Sequence, residues 1–212
     1  MSTAELSADI SAGTRTQLPF TSIPEWARPT TDSDGNTEIP APQCTGSSYL
    51  LVGIGPAAAA VTSAWAPALA GVPGRLIEAA DADTAVDALA AALAEATVGV
   101  RVLLTGPIGA CLSARATAVA AGVEDDEIQV VPVGSGPIDV FCSHCRTITT
   151  ADAGLDAIVD CVGCGRGLLV YYHVSRRSGS FLGFMADAET TPPGTAPAAT
   201  APPDNPSQES PA

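Results

Sequence analysis

Four cysteines, Cys142, Cys145, Cys161 and Cys164, follow the spacing C-x2-C-x15-C-x2-C. A two-residue gap inside a tight turn points both sulfurs at one ion, and two such turns supply the four thiolates of a closed tetrahedral shell. Zinc is the expected ion. Iron or an iron–sulfur cluster is a second reading of the same ligands, and redox-active or disulfide-paired cysteines are a third. In the second turn, Gly163 and Gly165 stand where a knuckle must let backbone N–H groups approach sulfur. Four sulfurs leave no open position for a substrate, so the expected role is structural.

Other residues bear chemistry with weaker patterns. The run Gly53-Ile54-Gly55-Pro56-Ala57-Ala58 fits G-x-G-x-x-G/A at a strand-to-helix turn, and Glu78 ends the next expected strand, where a dinucleotide fold places its ribose carboxylate. Gly53, Gly55 and Glu78 are thus candidate nucleotide contacts. Only four strands are expected, without a second half for the other nucleotide, which favours a tight turn in a halved nucleotide-binding fold. His173, Ser175, Arg176 and Arg177 form a small basic cluster suited to an anion or partner contact, against a solvated hairpin turn. Cys111 lies near a helix start that would lower a thiol pKa, but no histidine adjoins it in sequence and a buried small residue is expected. His144 is a spare ligand inside a knuckle that four cysteines already satisfy. Asp152, Asp156 and Asp160 recur every four residues and read as a solvated helical or loop face. The chain offers no acid–base pair, nucleophile triad or haem ligand set.

Positioning these residues requires two units. Tyr49–Ile54, Arg75–Glu78, Val100–Leu104 and Glu127–Val133 read as strands. They alternate with helices over about 57–70, 83–96 (capped by Asp83 or Thr84) and 108–121. Runs of Val and Leu between helices imply a parallel sheet covered on both faces, an α/β domain over 47–134. Gly134-Ser135-Gly136-Pro137 reads as a hinge into a four-cysteine ribbon over 138–187, whose hairpin pairs 168–173 with 181–185. Residues 1–46 read as an extended, mostly disordered arm. It holds an apolar island, Phe20–Trp26, that is either a strap on its own chain or a docking peptide for another subunit. Residues 188–212, with seven prolines, read as a disordered tail.

Charge narrows the partners. The net charge is −14, and all nine basic residues are arginines. A duplex-binding protein presents several phosphate-neutralising cations on one face, so nucleic acid is excluded as the expected partner. Residues 142–187 carry four arginines against four aspartates. The uncharged stretch between Glu38 and Arg75 is broken by glycines and prolines and reads as strand, turn and alanine-rich helix rather than as a membrane span. The N-terminus lacks a signal-peptide pattern, and paired CxxC turns with two stray thiols suit a reducing compartment. A cytoplasmic location is expected.

Phe141-Cys142-Ser143-His144-Cys145, Cys161-x2-Cys164 and the run His173-x-Ser175-Arg176-Arg177, closing on Phe181-Leu182-Gly183-Phe184, resemble the C-terminal zinc-binding part of the dimethylamine monooxygenase subunit DmmA family. The preceding unit, beginning Tyr49-Leu50-Leu51-Val52-Gly53, is similar to that family's N-terminal domain, which looks related to half of a ferredoxin-reductase-type nucleotide-binding (Rossmann) domain. The resemblance covers roughly residues 47–187. It implies Zn2+ on the four cysteines and a subunit without an active site of its own. The complex would use NADPH and O2 to convert dimethylamine to methylamine and formaldehyde. Haem would sit on a haem-binding partner, FMN and an iron–sulfur cluster on a reductase partner. The competing reading is a stand-alone zinc-ribbon adaptor or regulator, followed by a thiol-redox protein.

Overall fold

A computed structural model describes residues 21–28 and 39–187. The first unit contains β1 (Ser48–Ile54), α1 (Ala58–Trp65), β2 (Gly74–Ala79), α2 (Ala82–Ala94), β3 (Val100–Gly106), α3 (Ile108–Ala120) and β4 (Ile128–Pro132). Its four strands are all parallel in the order β2-β1-β3-β4, so the order reverses between β1 and β3. Alternate side chains of β1 and β3 enter opposite layers. Leu50, Val52, Ile54, Val102 and Leu104 meet Ala85 and Leu89 of α2 and Ala114 and Ala118 of α3. Tyr49, Leu51 and Leu103 meet Val61 and Trp65 of α1. Strand and helix periodicities together give a three-layer α/β sandwich.

Three details depart from the sequence expectation. α1 stops at Trp65 and tightens into a 3-10 turn, Ala66–Leu69, because Pro67 has no N–H to continue the α-helical ladder. Asp81, not Asp83 or Thr84, caps α2: its backbone is extended, and its carboxylate accepts the amide of Thr84 at 2.8 Å. Residues 39–46 are held in place. Trp65 donates its indole N–H to the carbonyl of Pro40 at 2.8 Å, and Gln129 bonds both Gln43 and Ala41.

The second unit is a five-stranded sheet of β5 (Ile138–Cys142), β6 (Ile148–Ala151), β7 (Ile158–Asp160), β8 (Gly167–Val174) and β9 (Phe181–Met185), in the order β6-β5-β9-β8-β7. The expected β8–β9 hairpin is present. The sheet is larger than expected and mixed, since β5 pairs parallel to β9 and two short strands flank them. Asp152 follows β6, Asp156 occupies a left-handed turn position (φ 65°) and Asp160 ends β7, so this run is loop and strand end rather than helix.

The two units share a core. Leu112 of α3 is fully buried among Val140, Leu168, Val170 and Phe181 of the five-stranded sheet, as is Ile23 from the N-terminal segment. The linker is packed rather than free. A Cβ on Gly134 would meet the methyl of Ala57 at 3.2 Å, one on Gly136 would meet Pro107 at 3.1 Å, and one on Gly109 would lie 2.1 Å from the carbonyl of Pro137. Residues 134–137 therefore run over the carboxyl ends of β1 and β3. No helix among the described residues is long and apolar enough to cross a membrane. Residues 1–20, 29–38 and the expected tail, 188–212, lie outside the described residues.

Candidate metal centre

The two knuckles are built alike. At the end of β5, Cys142 accepts the amide of Arg146 on its carbonyl at 2.9 Å and donates its own amide to the carbonyl of Thr147 at 2.9 Å. After β7, Cys161 does the same with Gly165 at 2.8 Å and Arg166 at 2.9 Å. Each turn needs a left-handed residue just past its second cysteine, Arg146 at φ 67° and Gly165 at φ 69°. Glycine takes that conformation freely, and arginine takes it at a cost of roughly 1–2 kcal/mol. Sulfur also receives backbone donors: Cys145 N–H to Cys142 Sγ at 3.5 Å, and Gly163 N–H to Cys161 Sγ at 3.4 Å.

Together the knuckles bring the four sulfurs within 4.8 Å of one another. Cys142 and Cys164 approach to 3.8 Å, Cys145 and Cys161 to 3.5 Å. Zinc–sulfur bonds of about 2.3 Å in a tetrahedron place sulfurs about 3.8 Å apart. The donor set therefore fits a divalent metal of zinc's size with little adjustment. No sulfur is disulfide-bonded.

Electrostatics point the same way. Hydrogen bonds from the hydroxyl and the amide of Thr147 lower the Cys145 thiol to about 6, with smaller contributions from Cys161 and Cys142. The amide of Cys164 leads the lowering at Cys161. At Cys164 the amide of Arg166 pulls downward, but burial and the sulfurs of Cys145, Cys161 and Cys142 together outweigh it and lift the thiol to about 12. Four thiolates this close repel one another unless a cation sits between them.

The remaining candidates disperse. His144 is exposed and stands outside the cluster of sulfurs. Cys111 is buried, donates to the carbonyl of Gly106 at 3.4 Å and is pushed up to about 12 by burial, so desolvation beats the helix terminus. Gly53 faces α1, where a Cβ would lie 2.9 Å from Thr62 Cγ2, so this glycine serves strand–helix packing. Gly55 turns the chain at φ 74°, and Glu78 is exposed on edge strand β2, in register with Gly53. Arg176 bridges the units by pairing with Asp125 at 2.9 Å, and Asp125 also binds Arg115. Arg177 is exposed, while the His173 ring meets Ser22 Oγ at 3.2 Å. Sequence reasoning missed Thr147, whereas residues 21–26 of the apolar island lie as a strap on their own chain, one of the two readings the sequence offered, with the strand they bond, β8, left unspecified. Ser22 accepts the Val174 amide at 2.9 Å and donates to its carbonyl, and Thr21 bonds the carbonyl of Tyr172. No local sequence signal pairs residues about 150 positions apart.

A family model for the C-terminal domain of the dimethylamine monooxygenase subunit DmmA-like proteins matches residues 139–184, which run from β5 into β9. Over those residues the chain is similar to the DmmA-like C-terminal domain. A curated relative, the heme-dependent oxidative N-demethylase delta subunit of Ectopseudomonas mendocina (strain ymp), is 38% identical over 101 residues. That match covers 48% of this chain and 57% of the relative, so it spans little more than half of that protein. No solved structure matches. The DmmA-like match contains all four cysteines of the cluster and the strands that carry them.

Proposed function

We propose that this chain is an accessory subunit, with no active site of its own, of a haem-dependent oxidative N-demethylase. Its four cysteines hold a structural zinc. The assembly would use NADPH and O2 to demethylate dimethylamine or a related methylated amine, releasing formaldehyde. Haem would reside on a haem-binding subunit, and FMN with an iron–sulfur cluster on a reductase subunit. The observation that carries this reading is the pair of matched knuckles, whose sulfurs surround one ion-sized space inside the region matched by the DmmA-like family. A tetrahedral four-thiolate zinc is saturated by protein and stabilises rather than reacts. Cys142, Cys145, Cys161 and Cys164 would bind the ion, and the amides at 145 and 163 would orient their sulfurs. In this reading Gly53, Gly55 and Glu78 belong to a halved nucleotide-binding fold that now serves as scaffold. Partners are protein subunits in the cytoplasm, not nucleic acid or membrane.

The test is co-expression of the full chain with the haem-binding and flavin/iron–sulfur subunits, followed by size-exclusion chromatography and metal analysis. One zinc per chain and co-elution with both subunits are expected. Iron in place of zinc would overturn the metal assignment. A monodisperse monomer that ignores both subunits would overturn the complex.

A further inference from the structure

The five-stranded sheet covers its inner face with α3 and the N-terminal segment, but its outer face has no cover among the described residues. Register puts Ile158 of β7, Leu169 of β8 and Phe184 of β9 in one row across the sheet. A second row runs through Leu182 of β9, Phe141 of β5 and Ile148 of β6. Ile158 is 62% exposed, and Phe184 and Ile148 are each 43% exposed, while Leu169, Leu182 and Phe141 are half-buried. Tyr171 extends the first row, its ring 6.4 Å from that of Phe184. Where the second row meets the β8–β9 turn, a cavity of about 320 Å³ opens, with Phe141 and Leu182 on its wall and His173, Ser175 and Ser178 at its polar edge. A contiguous apolar strip with a polar-edged hollow is the form of a protein-docking surface.

Charge selects the occupant. The strands of this sheet contain two formally charged residues, Asp139 and Asp160, and both lie on the outer face, two positions from Phe141 and Ile158 respectively. A second copy of this chain would bring aspartates against aspartates and add its own charge of −14. A complementary partner instead presents an apolar ridge edged by arginine or lysine.

We infer that the outer face of the ribbon sheet docks a different protein subunit through such a ridge, with Phe184, Ile158 and Ile148 as anchors. This rests on the subunit role proposed above. The experiment measures affinity of the full-length chain for the haem-binding and reductase subunits separately, by biolayer interferometry. Phe184→Asp and Ile158→Asp are compared with Val98→Asp, a fully exposed position on the other unit. Metal content and melting temperature are recorded for each variant. Tight binding of wild type to one subunit is expected, with losses of at least tenfold for F184D and I158D and no change for V98D. Affinity should also fall as salt rises.

If wild type binds and F184D and I158D bind equally well, the docking face is wrong and the subunit role stands. If wild type binds neither subunit, both fall. Self-association of wild type abolished by F184D would assign the face to a second copy. A rise in apolar-dye binding on deleting residues 1–20, lost again in F184D, would assign it to the chain's own N-terminus. Either result overturns the inference.

Discussion

A Cβ at position 163 would lie 2.5 Å from Oγ1 of Thr147 and 3.2 Å from Sγ of Cys145. That hydroxyl is the leading cause of the lowered Cys145 thiol. Gly163→Ala must therefore push Thr147 off the sulfur without removing any ligand. Outer-shell losses of this kind weaken metal sites by about 10–100-fold. G163A should still bind one metal but lose it to a chromogenic chelator at least tenfold more readily than wild type. Equal retention would show that Thr147 does not tune the site. A second single-residue prediction concerns Thr105 in β3, whose hydroxyl is buried and has no hydrogen-bond partner. Valine has nearly the same shape and removes the orphaned group. Thr105→Val should stabilise the chain by about 1 kcal/mol, read as a higher denaturation midpoint. A destabilised variant would mean that a partner satisfies the hydroxyl in solution.

Elements were legible in the sequence wherever one local cause decides them. The central strands β1 and β3 are apolar runs buried on both faces, and all four parallel strands appear within about two residues of where the pattern puts them. The knuckles follow from cysteine spacing. Strands β6 and β7 were not legible, because four and three residues with one exposed face carry too little periodicity. The parallel β5–β9 pair joins segments about 40 residues apart, which no local pattern encodes. Acid sensitivity also belongs at this scale. The short 3-10 turn Asp125–Glu127 enters β4 through a capping box in which Glu124 and Glu127 exchange side-chain and backbone bonds, and Glu127 also binds Arg101 of β3. The backbone of Glu124 first, and Arg101 after it, hold the Glu127 carboxyl below its usual range. A depressed folded pKa contributes stability above the unfolded value, about 4.3, and loses it as pH falls through the folded one. Glu127→Gln should thus narrow the gap to wild type in melting temperature as pH drops from 6 to 3. A gap that stays constant over that range would exclude the carboxylate as its source.

Across the whole molecule, the four-cysteine site and the parallel sheet are joined through α3. One face of that helix packs Ala114 and Ala118 on the sheet, and Leu112 enters the core of the five-stranded unit beside Val140, Leu168 and Phe181. Gly179 of the β8–β9 turn sits against the same turn of helix, where a Cβ would lie 2.6 Å from the backbone of Leu112. The core of the five-stranded unit is completed by Ile23, Ala27 and Leu112 from outside it, and a metal held by the four cysteines would add its binding free energy to that core. Metal retention should therefore depend on a side chain that is not itself a ligand. Leu112→Ala removes a fully buried side chain at the joint, a loss of about 2–5 kcal/mol. If the units fold as one, that loss falls on the five-stranded unit as much as on the α/β sheet. L112A should release a metal bound at the four cysteines to chelator many-fold faster than wild type, and its melt should begin with the five-stranded unit. Leu89→Ala, equally buried but on the α2 side of the sheet, lowers overall stability by a similar amount and supplies the control. Zinc loss that tracks overall stability in both variants would mean global unfolding alone releases the ion. Faster loss in L112A at matched stability would place the coupling in the contact between α3 and the five-stranded unit.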